Sequence, residues 1–153
     1  MKDLLNLEYN QVIIIDKIEY KVIAMLKFIE TSSYWIEYIL VDEKSGEQYY
    51  LDVEPIGKYA LHRMIDINLE PELEISYQSE LYELFQKGNA KIETYYGYIG
   101  AGINDEVEYY EYKCNNKILT IEKWKDTTEI SCGKYIEKNS IKIKKVKDDN
   151  FRL

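Results

Sequence analysis

The chain has 153 residues, 46% apolar and 31% charged, with 16 tyrosines, 2 prolines and a formal net charge of −8. That apolar share excludes a disordered chain. No apolar run reaches the roughly 18–20 residues of a membrane-spanning helix, and two cysteines with one histidine cannot build a disulfide scaffold or a structural zinc site.

The dominant period along the chain is two. Gln11 to Ile15 is a β-branched run, and Asp16-Lys17 can turn it into a long strand in which Ile18, Tyr20, Val22, Ala24, Leu26 and Phe28 share one face. Tyr34 to Val41 reads as a third strand, apolar on both faces except at Glu37. After the turn composition of Asp42 to Gly46, Gln48 to Glu54 is a fourth strand, ended by Pro55. The stretch from Ser79 to Gln86 fits a short helix or a strand, because Leu81, Tyr82, Leu84 and Phe85 suit either spacing and Ser79 lacks the Glu or Gln three residues on that completes a capping box; one short helix within Asn68 to Gln86 would not change the class. The reading taken is strand, turn at Gly88-Asn89, then strand from Ala90 to Tyr96. Gly97, Gly100 and Gly102 bracket a loop whose glycine order is not a dinucleotide fingerprint. Strands resume at Val107 to Lys113, Ile118 to Trp124, Thr127 to Tyr135 and Ile141 to Lys144.

Strands every eight to twelve residues predict an all-β sandwich or barrel of antiparallel hairpins, with at most one short helix. A single domain is expected over residues 1–147, with a polar tail over 148–153. The N-terminal residues Met1 to Glu8 lack the apolar core of a signal peptide, so a cytoplasmic protein is expected.

Charge is unevenly placed. Residues 1–75 carry 7 basic and 15 acidic side chains, whereas residues 76–153 carry 13 of each. This balance argues against a nucleic-acid partner. The lysines between Lys134 and Lys147 read as protection of a solvated edge strand. The tyrosines serve either as β-core residues or as an aromatic contact surface.

Two stretches resemble each other. Trp35-Ile36-Glu37-Tyr38 followed by Leu51-Asp52-Val53-Glu54 is echoed by Tyr109-Tyr110-Glu111-Tyr112 followed by Leu119-Thr120-Ile121-Glu122. A duplication would divide the domain into similar β-units over residues 10–75 and 76–147. The same stretches, together with Ile18-Glu19-Tyr20-Lys21-Val22, Tyr49-Tyr50 and Gly133-Lys134-Tyr135, resemble the bacterial domain-of-unknown-function family 4178 across most of residues 10–145. Tyr50 stands where that pattern often has tryptophan. The resemblance implies a small β-rich bacterial protein, encoded near polyamine-metabolism or membrane-stress genes, and transfers no catalytic residue.

No constellation in the sequence specifies catalysis. His62 is the only histidine, and a lone histidine at a strand end reads as structural or exposed; Cys114 and Cys132 have no histidine nearby in sequence. Asn104 to Glu108 lacks the ligand spacing of a calcium loop. Carboxylates for glycoside hydrolysis could come from Glu37, Glu54, Glu111 and Glu122, but no spacing selects a pair. No catalytic residue, metal or cofactor is therefore expected.

The expected function is a non-enzymatic binding or adaptor module that meets a protein partner through an acidic, tyrosine-rich surface. The alternative is a small-ligand sensor or carboxylate enzyme with an aromatic, acidic pocket for a cation of polyamine type. Trp35, Glu37, Tyr38, Tyr110 and Glu111 are the candidate ligand residues. Within Tyr34 to Val41, Trp35, Glu37 and Ile39 share one face, which puts a carboxylate beside an indole. Its partner would be a lysine, an arginine such as Arg63, a tyrosine hydroxyl, or a bound cation that Glu111 also faces.

Overall fold

The computed structural model describes residues 4–97 and 100–145. They form an 11-stranded antiparallel sheet: β1 (Val12–Ile15), β2 (Ile18–Glu30), β3 (Ser33–Asp42), β4 (Gln48–Glu54), β5 (Lys58–Ile65), β6 (Glu74–Tyr77), β7 (Glu80–Tyr96), β8 (Glu106–Cys114), β9 (Lys117–Lys123), β10 (Thr128–Ile136) and β11 (Ile141–Ile143). Leu4–Asn6 and Lys138–Ser140 are short 3-10 turns, and no other helix occurs among the described residues. None is long and apolar enough to cross a membrane.

Strand order is β11-β1-β2-β3-β4-β5-β10-β9-β8-β7-β6, and β2 also pairs with β7. That pairing, from Met25 opposite Tyr96 to Ile29 opposite Lys91, closes β2, β3, β4, β5, β10, β9, β8 and β7 into an eight-stranded barrel. Closure removes the edges of these strands. Only β11 and β6 remain as sheet ends. At the β11 end, Lys142 is exposed and Lys144 pairs with Glu19 at 3.2 Å; Lys147 lies outside the described residues.

The chain follows the same path twice. A short strand (β1, then β6) turns through two left-handed residues into a long strand, and a three-strand meander follows. The two turns match: Asp16 and Lys17 have φ of 48° and 72°, Gln78 and Ser79 have 49° and 64°. Positive φ at both central residues is the hairpin geometry whose twist suits flanking strands.

Three apolar clusters hold the barrel. Outside it, Ile36, Tyr38, Leu40, Leu51 and Val53 of β3 and β4 pack under Leu4, Leu7, β1 and β11. On the other side, Tyr112, Leu119, Ile121 and Ile130 pack under β6 and the segment before it. Part of the interior is filled by Leu26, Phe28, Ile92, Val107 and Tyr109, with Trp35 and Trp124 packed against them. The repeated Glu-Tyr dipeptide is used alike in both halves. The Tyr38 hydroxyl donates to the Leu4 carbonyl at 2.7 Å and accepts from the Leu7 N–H at 3.1 Å. The Tyr112 hydroxyl donates to the Glu72 carbonyl at 2.8 Å and accepts from the Glu72 N–H at 3.1 Å.

Two expectations need correction. Gly88-Asn89 is not a turn: β7 runs through it as one 17-residue strand, and Ser79 to Gln86 is strand apart from the turn at its start. Gly88 is there because a Cβ would run into the Glu30 carboxylate and the Tyr109 hydroxyl, a close approach that a strand glycine permits. His62 is likewise not at a strand end. It sits within β5, a strand the alternation pattern does not announce.

Candidate functional site

Where a segment packs on the outside of the barrel, as over β3 and β4 and over β8 to β10, the apolar face of a strand points outward beneath it and the polar face behind points into the barrel. β4 shows this: Leu51 and Val53 face the outer cluster, while Tyr50, Asp52 and Glu54 face inward. The same alternation turns Trp35 and Glu37 of β3, His62 of β5, Tyr109 and Glu111 of β8, Thr120 and Glu122 of β9 and Glu129 of β10 inward.

These side chains lie in tiers about 6.6–6.8 Å apart, the rise of two strand residues. Tyr50, Glu122, Trp124 and Glu129 line a wide mouth, a cavity of about 840 Å³. It continues past Glu37 and Glu122 into a narrower space of about 50 Å³ bounded by Trp35, Asp52, His62, Thr120 and Glu111. At the far end Glu54, Glu111 and Tyr135 meet Lys58. Lys58 and Lys113 lie over the rings of Phe85 and Tyr135, with ammonium-to-centroid distances between 4.3 and 5.9 Å.

Like charges face one another across the interior. Glu37 is paired in register with Asp52, and Glu122 with Glu129. Such cross-strand pairs destabilise a sheet unless something neutralises them. Glu37 is only 7% exposed. Burial, then Asp52 and Glu122, raise its carboxyl well above the usual range. Burial, then Glu129 and Asp52, push Glu122 up to about 8. Burial, then Asp52 and Glu54, push Glu111 up to about 7. Burial raises Glu54 and Glu129 as well, and burial followed by the Glu37 charge pushes Tyr50 up to about 12.

His62 joins two polar groups. Its Nε2 lies 2.9 Å from Asp52 Oδ2, and its Nδ1 lies 2.9 Å from Ser131 Oγ. Burial works against its charge, yet Asp52, Glu122 and Glu111 outweigh burial and leave its pKa raised. The trio has the residue types of a nucleophilic triad. Ser131 is itself buried beneath His62, however, and is not among the residues that line the cavity.

Among the ligand candidates, the structure brings Trp35, Glu37 and Glu111 together at the inner cavity. Tyr38 and Tyr110 lie on the opposite faces of their strands: Tyr38 is buried in the outer cluster, and Tyr110 donates to Glu108 at 2.7 Å. Arg63 is not the partner of Glu37, since it is exposed and pairs with Glu47 at 3.2 Å. Both cysteines are free. Glu37, Glu54, Glu111 and Glu122 all turn inward. Asp52, His62 and Glu129 join them unannounced, although the spacing Tyr50-x-Asp52-x-Glu54 opposite Leu51 and Val53 carried a signal.

The family described as Domain of unknown function (DUF4178) matches residues 8–138. The chain belongs to this family. The DUF4178 match spans β1 to β10 and so includes every inward-facing residue named above. No curated protein and no solved structure matches the chain.

Proposed function

We propose that this protein is a binding barrel for a small organic cation carrying more than one amine, and that it binds without chemical turnover. The observation that carries the reading is the set of carboxylates directed into one cavity: Glu122 and Glu129 at the mouth, Glu37 and Asp52 below them, Glu54 and Glu111 at the base. Few basic groups face them. His62 pairs with Asp52, Lys58 and Lys113 close the base, and at the rim Lys123 is turned to Glu70 while Lys125 is exposed beside the mouth. Buried carboxylates that lack cationic partners are expensive, and a guest cation offsets that cost. The tier spacing suits amines separated by a few methylenes. Trp35, Tyr50 and Trp124 line the cavity; Trp35 stacks on Phe28 and Tyr50 on His62, so a cation would meet the opposite ring face, each such contact worth roughly 0.5–2 kcal/mol.

The adaptor reading has less support. Tyr20, Tyr38, Tyr59, Tyr82, Tyr109 and Tyr112 are buried and so do not form a contact surface.

The test is calorimetric titration with spermidine at moderate salt. Wild type should bind, Glu122→Gln/Glu129→Gln should bind at least tenfold more weakly, and Glu43→Gln, on an exposed turn, should match wild type. No binding by wild type, or equal weakening in both variants, would refute the pocket.

A further inference from the structure

Beneath the mouth, three neighbouring strands each direct one metal-ligating side chain to a single point: Glu37 from β3, Asp52 from β4 and His62 from β5. Their ligand atoms all lie within 4.8 Å of one another. We propose that Glu37, Asp52 and His62 form a binding site for one first-row divalent transition-metal ion. This site shares Glu37 and Asp52 with the carboxylate set of the organic-cation reading and adds His62, which that reading does not use.

The geometry accommodates an ion. Donors about 2.0–2.1 Å from one metal lie about 2.9 Å apart at right angles and about 3.3 Å apart in a tetrahedron, and about 2.9 Å is also the length of the hydrogen bond an ion would replace. The His62 Nε2 to Asp52 Oδ2 distance is 2.9 Å. Ser131 Oγ lies 2.9 Å from Nδ1, so an Nδ1–H donated to Ser131 would leave the Nε2 lone pair turned toward the carboxylates. An outer hydrogen bond of that kind fixes the tautomer of a ligating histidine. The ligands stand on barrel strands rather than loops, which holds their spacing.

Two further observations point to a missing cation. Glu37 is more than nine-tenths buried and its side-chain hydrogen-bond partner is the Asp52 carboxyl, so two acids meet at a contact that needs a proton or a cation. Asp52 Oδ1 is buried with no hydrogen-bond partner. A metal would satisfy both. One imidazole and two carboxylates without thiolate suit zinc, manganese or ferrous iron better than copper(I), and the imidazole disfavours calcium and magnesium. Three protein ligands leave coordination positions open toward the cavity, as in metal sites that accept a further ligand.

The experiment uses tag-free full-length protein stripped with chelator. Zn²⁺ and Mn²⁺ are titrated by calorimetry, and binding is followed by ¹⁵N chemical shifts of labelled histidine. His62 is the only histidine in the chain, so its Nε2 signal is assigned without ambiguity. One equivalent of Zn²⁺ should bind and shift the Nε2 resonance. Glu37→Gln and His62→Gln should each weaken binding at least tenfold with the circular dichroism spectrum retained, while Glu43→Gln, on an exposed turn, and Cys114→Ser/Cys132→Ser should remain within threefold of wild type. The proposal is overturned if stripped wild type binds neither ion, if Nε2 does not shift, or if the cysteine variant abolishes binding. Should His62→Gln fail to fold, Glu37→Gln decides the matter: unchanged affinity there overturns it. Spermidine binding to His62→Gln separates the two readings, since His62 is the one metal ligand outside the carboxylate set: loss of Zn²⁺ with spermidine retained leaves the organic-cation reading standing.

Discussion

Replacing Glu111 by Gln should stabilise the ligand-free, metal-free protein at pH 8 and do little at pH 5. Glu111 is half-buried at the inner cavity, faces Asp52 and Glu54, and is pushed up to about 7 from an ordinary 4.5, with His62 and Lys58 opposing the rise. A carboxyl whose pKa is higher folded than unfolded holds its proton longer in the folded chain. The stability it gives is fully present below about pH 4.5 and is lost as pH rises through about 7. A shift of one unit corresponds to about 1.4 kcal/mol, so roughly 3 kcal/mol is lost across that window. Glutamine keeps the shape and cannot ionise, so the variant escapes the loss. In a domain of this size about 3 kcal/mol corresponds to a Tm difference of about 6–12 °C. Thermal and urea unfolding of both proteins at half-unit steps from pH 5 to 8 would measure it. The gap should open with rising pH. Parallel curves, or a variant less stable at pH 8, would refute the placement of Glu111 inside the barrel.

Three other outcomes follow from the fold. Tyr38→Phe and Tyr112→Phe each remove the hydroxyl that holds two backbone groups of a covering segment, and each should cost about 1–3 kcal/mol in urea unfolding; no loss in either would mean the segments are not pinned this way. Gly133→Ala should cost at least about 1–3 kcal/mol because its Cβ would strike the Leu61 carbonyl and His62 backbone across the β5–β10 seam, whereas Gly102→Ala, with open space around it, should be near neutral; equal stabilities would contradict that register. Duplex DNA should bind weakly at physiological salt, as a chain of net charge −8 repels phosphates; sub-micromolar, salt-sensitive anisotropy titrations would contradict this.

Much of the architecture was legible from local pattern. Period-two alternation from Tyr34 to Val41 is what a strand with distinct faces must show, and it put Trp35 and Glu37 on one face. The alternation from Ile18 to Phe28 marked a strand but not a single face, because a bulge between Val22 and Ala24 leaves Tyr20 and Val22 in the outer cluster and Leu26 and Phe28 inside the barrel. The repeated Glu-Tyr pairs were visible too, and each now has one residue inward and one pinning a covering segment. Closure was not legible, because the β2–β7 and β5–β10 seams join residues far apart in sequence. Without closure, Asp52 and Glu54 look like a solvent face. Gly88-Asn89 has turn chemistry, yet the approach of Glu30 and Tyr109 overrides it. His62 looked solitary because Asp52 and Ser131 reach it only through pairing with β4 and β10.

The most direct test of the acid-lined barrel is proton release on binding spermidine. In the unliganded, metal-stripped protein Glu111 and Glu122 hold protons near neutrality, at about 7 and about 8. A cation entering between them favours the ionised forms and expels those protons. Calorimetry at pH 6.5 in two buffers of different ionisation enthalpy counts them. The expected result is net proton release that falls in Glu111→Gln and again in Glu111→Gln/Glu122→Gln. Binding with no proton exchange would place the cation on exposed carboxylates, and together with an unchanged double variant it would contradict a ligand site inside the barrel.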